Sequence, residues 1–155
     1  MNGKFMREAI RLSIQKMRRG KGGPFGAVVV MDGIIVGKGG NQVSSRNDPT
    51  AHAEIVAIRD ACRNIESFDL TGAVLYATCE PCPMCLSAIY WANIQAVYYC
   101  STRHDAASIG FKDNHIYEEI NQVPEDRTIG FTQVAHPLAT ELFQEWTEKT
   151  DKVAY

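Results

Sequence analysis

Apolar and polar positions repeat along this chain with two different periods, which divide it into helices and strands. Residues 3–19 carry apolar side chains at helical spacing and are followed by glycines. Valine-rich Phe25 to Met31 and then Ile34 to Gly37 flank an Asp32-Gly33 pair, which is typical of a hairpin with a type I′ turn. The first quarter of the chain therefore predicts one amphipathic helix and two antiparallel strands.

The middle of the chain predicts two more helices with strands between them. Asp48 is expected to cap a helix whose first position is Pro49. A strand over Ala73 to Thr78, a proline-opened helix running through Trp91, and a strand over Ala96 to Cys100 follow. Two successive strand–helix–strand units imply a mixed or parallel sheet with helices on both faces, so the predicted fold class is α/β.

The pattern weakens beyond Arg103. A loop with Gly110, a short helix near Tyr117, a strand near Phe131 to Val134 and a helix after Pro137 are predicted. No repeat or low-complexity linker interrupts the sequence, and 155 residues are typical of one domain. We therefore expect a single domain over residues 1–155.

Composition narrows the function classes. With 45% hydrophobic and 22% charged residues the chain is ordinary and globular, and a net charge of -2 gives no basic field for a nucleic-acid partner. Short apolar runs and the lack of a charged-then-apolar leader predict no membrane association and a cytoplasmic location. Five cysteines, two of them in a CxxC, favour reduced thiols and a metal over disulfides.

Three side chains are candidate ligands for one metal ion. Cys82 and Cys85 stand three residues apart at a predicted helix start, where both can face the same ion and where helix N–H groups favour thiolates. His52 lies 30 residues earlier, near the start of another predicted helix, and would add an imidazole. The ligand types favour one zinc ion per chain.

Three protein ligands leave the fourth tetrahedral position for water, as in catalytic zinc sites. Zinc-bound hydroxide would then be the nucleophile, since zinc makes its bound water acidic near neutral pH. Glu54, two residues after His52, is placed to shuttle protons between that water and a substrate.

The combination of His52-Ala53-Glu54 with Pro81-Cys82-Pro83-Met84-Cys85 matches the H-x-E…P-C-x-x-C signature of zinc deaminases. Over nearly its whole length the chain resembles the cytidine-deaminase-like superfamily. The resemblance implies a three-layer α/β/α fold with a central mixed sheet of about five strands. More closely, the chain resembles bacterial guanine deaminases, in segments that include 23–27, 47–54, 88–92, 105–107 and Tyr155.

This resemblance implies deamination of guanine to xanthine and ammonia, and a set of pocket residues. Phe25 and Trp91 are expected to contact the ring, and Asn41 to form a hydrogen bond with it. Asp113, Glu118 and Tyr155 are expected near the outer pocket. Glu118 is counted with Glu54 as catalytic, and either Asp113 or Glu118 could accept the N–H groups of a purine edge.

The C-terminal segment is the other expectation that the resemblance carries. In guanine deaminases a segment equivalent to about residues 136–155 closes the active site and is exchanged between the subunits of a homodimer. We expect the same arrangement here, with Tyr155 contributing a ring, a hydroxyl and a carboxylate.

A purely structural role is an alternative interpretation for several of these residues. Cys79 could join His52 and the two other cysteines in a closed structural zinc site. Glu118 could belong to a solvated acidic face, and Trp91 could pack the core.

Other functions also remain. The zinc motif fixes the chemistry but not the ring, so another base or amino-heterocycle, such as cytosine or a tRNA adenosine, is an alternative substrate. The alternative that is not an enzyme is a zinc-stabilised module without catalytic activity.

Overall fold

A computed structural model describes residues 3–111 and 113–154 of the chain. The elements, in chain order, are α1 (Gly3–Arg18), β1 (Gly26–Met31), β2 (Ile34–Gly40), α2 (Val43–Arg46), α3 (Ala53–Ile65), β3 (Val74–Cys79), α4 (Pro83–Trp91), β4 (Ala96–Ser101), α5 (Arg103–Ser108), α6 (Asp113–Ile120), a 3₁₀ turn (Pro124–Asp126) and α7 (Pro137–Glu148). They divide into two compact units, which meet in sequence between Ile116 and Tyr117. No described helix is both long enough and apolar enough to cross a membrane.

One mixed sheet organises the first unit, with strand order β2-β1-β3-β4. β1 runs antiparallel to β2 and to β3, whereas β3 and β4 are parallel. The α/β prediction is confirmed, with four strands among the described residues in place of about five. The strand predicted near Phe131 to Val134 is wrong: these residues are exposed coil, because β-propensity without a neighbouring strand leaves the backbone groups unpaired.

The sheet buries a separate core on each face. On one face Val28, Val30 and Tyr76 pack with Phe5 and Leu12 of α1. The opposite face packs against α3 and α4 through a larger cluster made of Ala27, Val29, Ala53, Ala57, Ile58, Ala61, Leu70, Ala73, Leu75, Ala77, Ile89 and Ala92. Alternate residues of β1 and β3 therefore point to opposite layers, as expected for a strand covered on both sides.

The predicted hairpin turn is confirmed, whereas the predicted start of α3 is wrong. Asp32 and Gly33 have φ values of 48° and 76°, which confirms the type I′ turn. Asp48 does not cap a helix at Pro49. Its carboxylate instead accepts hydrogen bonds from the Thr50 N–H and hydroxyl at 2.8 and 2.6 Å, and α3 begins only at Ala53. The local turn competes with the helix for the same backbone donors.

A seam of small residues fixes α3 against the sheet. Ala53, Ala57 and Ala61 lie one turn apart on α3 and are fully or almost fully buried. A side chain at Gly39 of β2 would have its Cβ 2.0 Å from the Ala53 carbonyl oxygen, so the strand and helix backbones touch. This contact fixes the position of the first turn of α3, where His52 and Glu54 lie.

Candidate active site

Two helix N-termini meet at the candidate metal centre. His52 is the N-cap of α3 and Cys82 is the N-cap of α4. The His52 Nδ1 atom lies 3.5 Å from the Cys82 Sγ and 3.6 Å from the Cys85 Sγ. The potential ligand atoms of the three residues lie within 4.8 Å of one another, in the only such group found in the described chain.

These distances fit a tetrahedral zinc ion. With Zn–S near 2.3 Å and Zn–N near 2.0 Å, the S···N edge of a tetrahedron is about 3.5 Å. The observed separations match that edge, and two thiolates with one imidazole are ligands that zinc prefers. The residues therefore suit zinc, and Nδ1 is the imidazole atom that faces the thiols.

The protonation of the two thiols follows from their mutual hydrogen bond. The Cys85 thiol donates to Cys82, which together with the hydrogen bond to His52 lowers the pKa of Cys82 to about 4 despite burial. Donation to Cys82, together with burial, raises the pKa of Cys85. The hydrogen bond to the Cys82 thiolate also raises the pKa of His52. These hydrogen bonds favour the thiolate form of Cys82.

Glu54 is a buried carboxyl beside this group. It lies in the first turn of α3 and is 7% exposed. Burial raises the pKa of Glu54 to about 7, and the negative charge of Cys82 acts in the same direction. A carboxyl group with a pKa near 7 can both accept and release a proton at neutral pH.

A cavity of about 350 Å³ opens onto these residues. All of its lining residues belong to the first unit: Gly22, Gly23, Phe25, Asn41, Val43, Ser44, Pro49, His52, Glu54, Cys79, Glu80, Cys82, Phe111 and Asp113. The structure therefore brings Phe25, Asn41 and Asp113 to the same cavity as Glu54 and the candidate ligands. Burial, followed by the charge of Cys82, raises the pKa of Asp113.

Asn41 is held in one amide orientation. Its side-chain oxygen accepts the backbone N–H groups of Gly23 and Val43, both at 3.2 Å. Because two backbone donors require an oxygen there, the Nδ2 group is left as the donor that a ligand would meet. A Cβ at position 22 would lie 2.3 Å from the Asn41 Oδ1 atom, so Gly22 makes this arrangement possible.

Cys79 is turned away from the candidate ligands. Its thiol donates to the Thr102 carbonyl at 3.5 Å, and burial raises the pKa of Cys79 to about 11. Among the described residues the metal group contains His52, Cys82 and Cys85 without Cys79. This geometry argues against the closed four-ligand alternative.

Several lining residues were not predicted from the sequence, among them Glu80 and Phe111. Glu80 precedes the Pro-Cys pair, and its carboxylate accepts the Arg103 N–H at 3.0 Å at the start of α5. Phe111 packs against Phe25. The Thr102–Asp105 capping box is a sequence signal for the start of α5, where the Arg103 N–H meets Glu80. No comparable signal precedes Phe111.

The other predicted pocket residues lie outside this cavity. Trp91 ends α4, at the opposite end of that helix from Cys82, and is 65% exposed. Glu118 belongs to the second unit and its side chain is exposed. Tyr155 lies outside the described residues. Their predicted roles in binding and catalysis stay predictions.

Comparison with known proteins places this geometry in a family. Residues 1–101 match the cytidine and deoxycytidylate deaminase zinc-binding region. A guanine deaminase of Bacillus subtilis is 48% identical over 151 residues, which is 97% of each chain. A crystal structure of guanine deaminase from the same species superposes with a TM-score of 0.96 at 47% identity, covering 100% of this chain and 99% of the other.

A second kind of relative matches over a shorter stretch. A tRNA-specific adenosine deaminase of Agrobacterium fabrum is 50% identical over 76 residues, or 49% of this chain and 50% of that protein. The shared part therefore belongs to the family, whereas the guanine deaminase match extends through both units. The chain is a member of the cytidine and deoxycytidylate deaminase family.

Proposed function

We propose that this chain is a zinc-dependent guanine deaminase, which hydrolyses guanine to xanthine and ammonia. The observation that carries the proposal is the placement of buried Glu54 with His52 and Cys82 on the wall of a cavity sized for a small molecule, with Cys85 directly behind them in the candidate metal group. The near-full-length similarity to a guanine deaminase favours guanine among the bases.

Glu54 is assigned the proton transfers. Zinc held by the three ligands would activate a water molecule for attack on the ring carbon that bears the exocyclic amine. Glu54 takes the two protons of that water in turn and delivers the first to the adjacent ring nitrogen and the second to the departing amine, so that a C–O bond forms, the C–N bond breaks and ammonia leaves. Its burial places it close to the reacting atoms and away from bulk solvent.

Recognition of the ring is assigned to fixed polar groups and an aromatic wall. The Nδ2 group of Asn41 donates to an acceptor on the purine, such as the oxygen or imidazole nitrogen of guanine. Asp113 accepts from ring N–H groups, and Phe25 contacts the ring face or edge. A base with hydrogen-bond donors and acceptors in the opposite positions would leave these groups without partners.

The second unit supports a proposal of subunit exchange. None of its described residues is buried, and α7 exposes large apolar side chains, including Leu142 and Phe143, the latter at 73%. Such a helix is stable when another surface covers it. We assign that role to a second copy, with the segment from about residue 136 closing the partner's active site in a homodimer and bringing Tyr155 to it.

Trp91 and Glu118 join the site in the same proposal. Trp91 is half of an exposed Tyr90-Trp91 pair in the first unit, and an apolar pair of this size is typical of an interface. Contact with the ring would therefore come across the dimer, as would the catalytic contribution of Glu118. The reduced state of all five cysteines, each of which is described, fits a cytoplasmic enzyme.

The test is ammonia release by the zinc-loaded protein from guanine, adenine, cytosine, cytidine and adenosine, with xanthine identified by chromatography. Guanine alone is expected to react at a substantial rate, with one zinc bound per chain by elemental analysis. Turnover of another base in place of guanine would reject the pocket assignments and retain the zinc chemistry. Absence of turnover with every base and nucleoside would reject the enzyme.

A further inference from the structure

The residue that carries a further inference is Phe111, which lies between α5 and α6. Its ring packs edge-on against the Phe25 ring, with centroids 4.7 Å apart and planes at 81°. Both rings line the cavity that contains Glu54. Edge-to-face pairs are a preferred aromatic geometry and stabilise more than their buried area alone. The pair thus forms an apolar wall of the cavity.

The main chain beneath the pair leaves no spare room. A Cβ at position 23 would lie 3.0 Å from the Phe111 ring and 3.2 Å from the Phe25 ring, so only glycine fits there without displacing them. The N–H of the same residue, Gly23, also donates to the Asn41 side-chain oxygen. Gly23 therefore supports both the aromatic pair and the Asn41 amide that is proposed to bind the ring.

Phe111 also fixes the start of α6. Gly110, with φ of +96°, turns the chain after α5, and Asp113 follows Phe111 by two residues. The contact with Phe25, which directly precedes β1, ties this segment to the sheet. The position of the Asp113 carboxylate in the cavity thus depends on how Phe111 packs.

We propose that Phe111 is a specificity-determining residue that restricts the cavity to flat free bases and excludes purines carrying a sugar. This inference rests on the proposed function. A ribosyl group would compete with the two rings for the same small volume and would place hydroxyl groups against an apolar wall, where they find no hydrogen-bond partner. A flat base needs only ring contacts from that wall.

The experiment compares the KM for guanine with the Ki of guanosine as a competitive inhibitor of guanine deamination. Phe111→Ala is expected to raise the guanine KM about tenfold and to lower the ratio of guanosine Ki to guanine KM by roughly tenfold or more. Phe111→Leu, which keeps apolar bulk, should fall between this variant and the wild type. Phe68→Ala, at an exposed phenylalanine of the first unit outside this cavity, is the matched control.

A ratio within twofold of the wild type in both Phe111 variants would overturn the assignment, because a packing role changes stability without changing the preference. Zinc content and thermal midpoint show whether each variant is folded. If Phe111→Ala does not fold, Phe111→Leu and Gly23→Ala decide by the same ratio. Failure of the wild type to deaminate guanine would instead reject the proposed function, so the two failures are distinguishable.

Discussion

The two units of this chain differ in where their apolar side chains lie. The first unit buries them on both faces of a four-stranded sheet and contains every residue that lines the candidate active site. The second unit has several large apolar residues, yet none of its described residues is buried. The first unit thus has a core that can hold functional groups in fixed geometry, whereas the second exposes an apolar surface of the kind found at interfaces.

The largest effect is expected at Glu54, because the chemistry is assigned to the first unit. Glu54→Gln keeps the shape of the side chain and removes its ability to accept a proton, so kcat for guanine is expected to fall by about 10²–10⁴-fold. Zinc content should be unchanged. Glu66→Gln, at an exposed position just after the same helix, is the control and should retain full activity. An active Glu54→Gln enzyme would reject the proton-transfer role.

The next prediction contrasts two cysteines of the first unit, of which Cys85 is a candidate zinc ligand and Cys79 is not. Cys85→Ser is expected to lose at least tenfold in zinc affinity, with activity falling in parallel, because a hydroxyl is a poor replacement for a thiolate ligand. Cys79→Ser should keep zinc, since the Cys79 thiol bonds to the Thr102 carbonyl. Elemental analysis after dialysis against a weak chelator measures both. Zinc loss in Cys79→Ser would restore the four-ligand alternative.

The second unit is tested by placing a charge on α7. Leu142→Glu puts a carboxylate on the apolar side of this helix and is expected to shift the protein from dimer to monomer at micromolar concentration. Gln144→Glu adds the same charge at a polar position of α7 and should remain dimeric. Sedimentation equilibrium gives the mass. A monomeric wild type would contradict the proposed exchange of the C-terminal segment.

A smaller effect is expected from the glycine under Asn41. In Gly22→Ala the added methyl group would lie 2.3 Å from the Asn41 oxygen, so the amide must shift and the guanine KM should rise about tenfold, with kcat reduced less. Gly3→Ala, where the nearest atom would be 3.8 Å away, is the control. Steady-state kinetics separate KM from kcat. An unchanged KM would show that the amide does not read the ring.

The smallest expected effect concerns an ion pair that joins α1 to β2. Hydrogen bonds from Arg11 and Lys38 lower the pKa of Glu8 to about 2, even though partial burial opposes them. Since the folded value is the lower one, this stabilisation is present above the normal carboxyl pKa near 4.5 and is lost as pH falls toward 2. Glu8→Gln should destabilise the protein by at most about 1 kcal/mol at pH 7.

Urea unfolding of the wild type and Glu8→Gln at pH 7 and pH 3.5 checks the sign of this effect. The difference between the two proteins should shrink at the lower pH. A difference that grows on acidification would show that the carboxylate is not the stabilising form.

The sequence predicted best where a local signal agreed with the final fold. The Asp32-Gly33 turn and the helix at Pro83 need only nearby residues, and the CxxC ligands lie on one helical turn. The match of His52 and Glu54 with the two cysteines came from a known motif, and the structure brings them together. The sequence prediction and the structure agree at this site because the site is built at helix starts, and helix starts have local sequence signals.

The misses have long-range causes. The Phe131 to Val134 segment has strand-forming residues but no strand to pair with, and pairing is not visible in a local pattern. Phe111 reaches the cavity through a contact with Phe25, 86 positions earlier in the chain, which no periodicity predicts. Trp91 was assigned from resemblance alone, and its contact with the ring stays a prediction.

The parallel pairing of β3 and β4 has a consequence for how such an enzyme diversifies. Parallel strands end at the same edge of the sheet, so the segment after β3, which carries the cysteine ligands, and the segment after β4, which leads to Phe111 and Asp113, emerge side by side. Two candidate zinc ligands therefore follow one strand, and two of the residues proposed to shape the pocket follow its neighbour. Under the proposed assignments, mutations after β4 would retarget the enzyme to another amino-heterocycle without changing the cysteine ligands, a modularity that protein engineers can use directly.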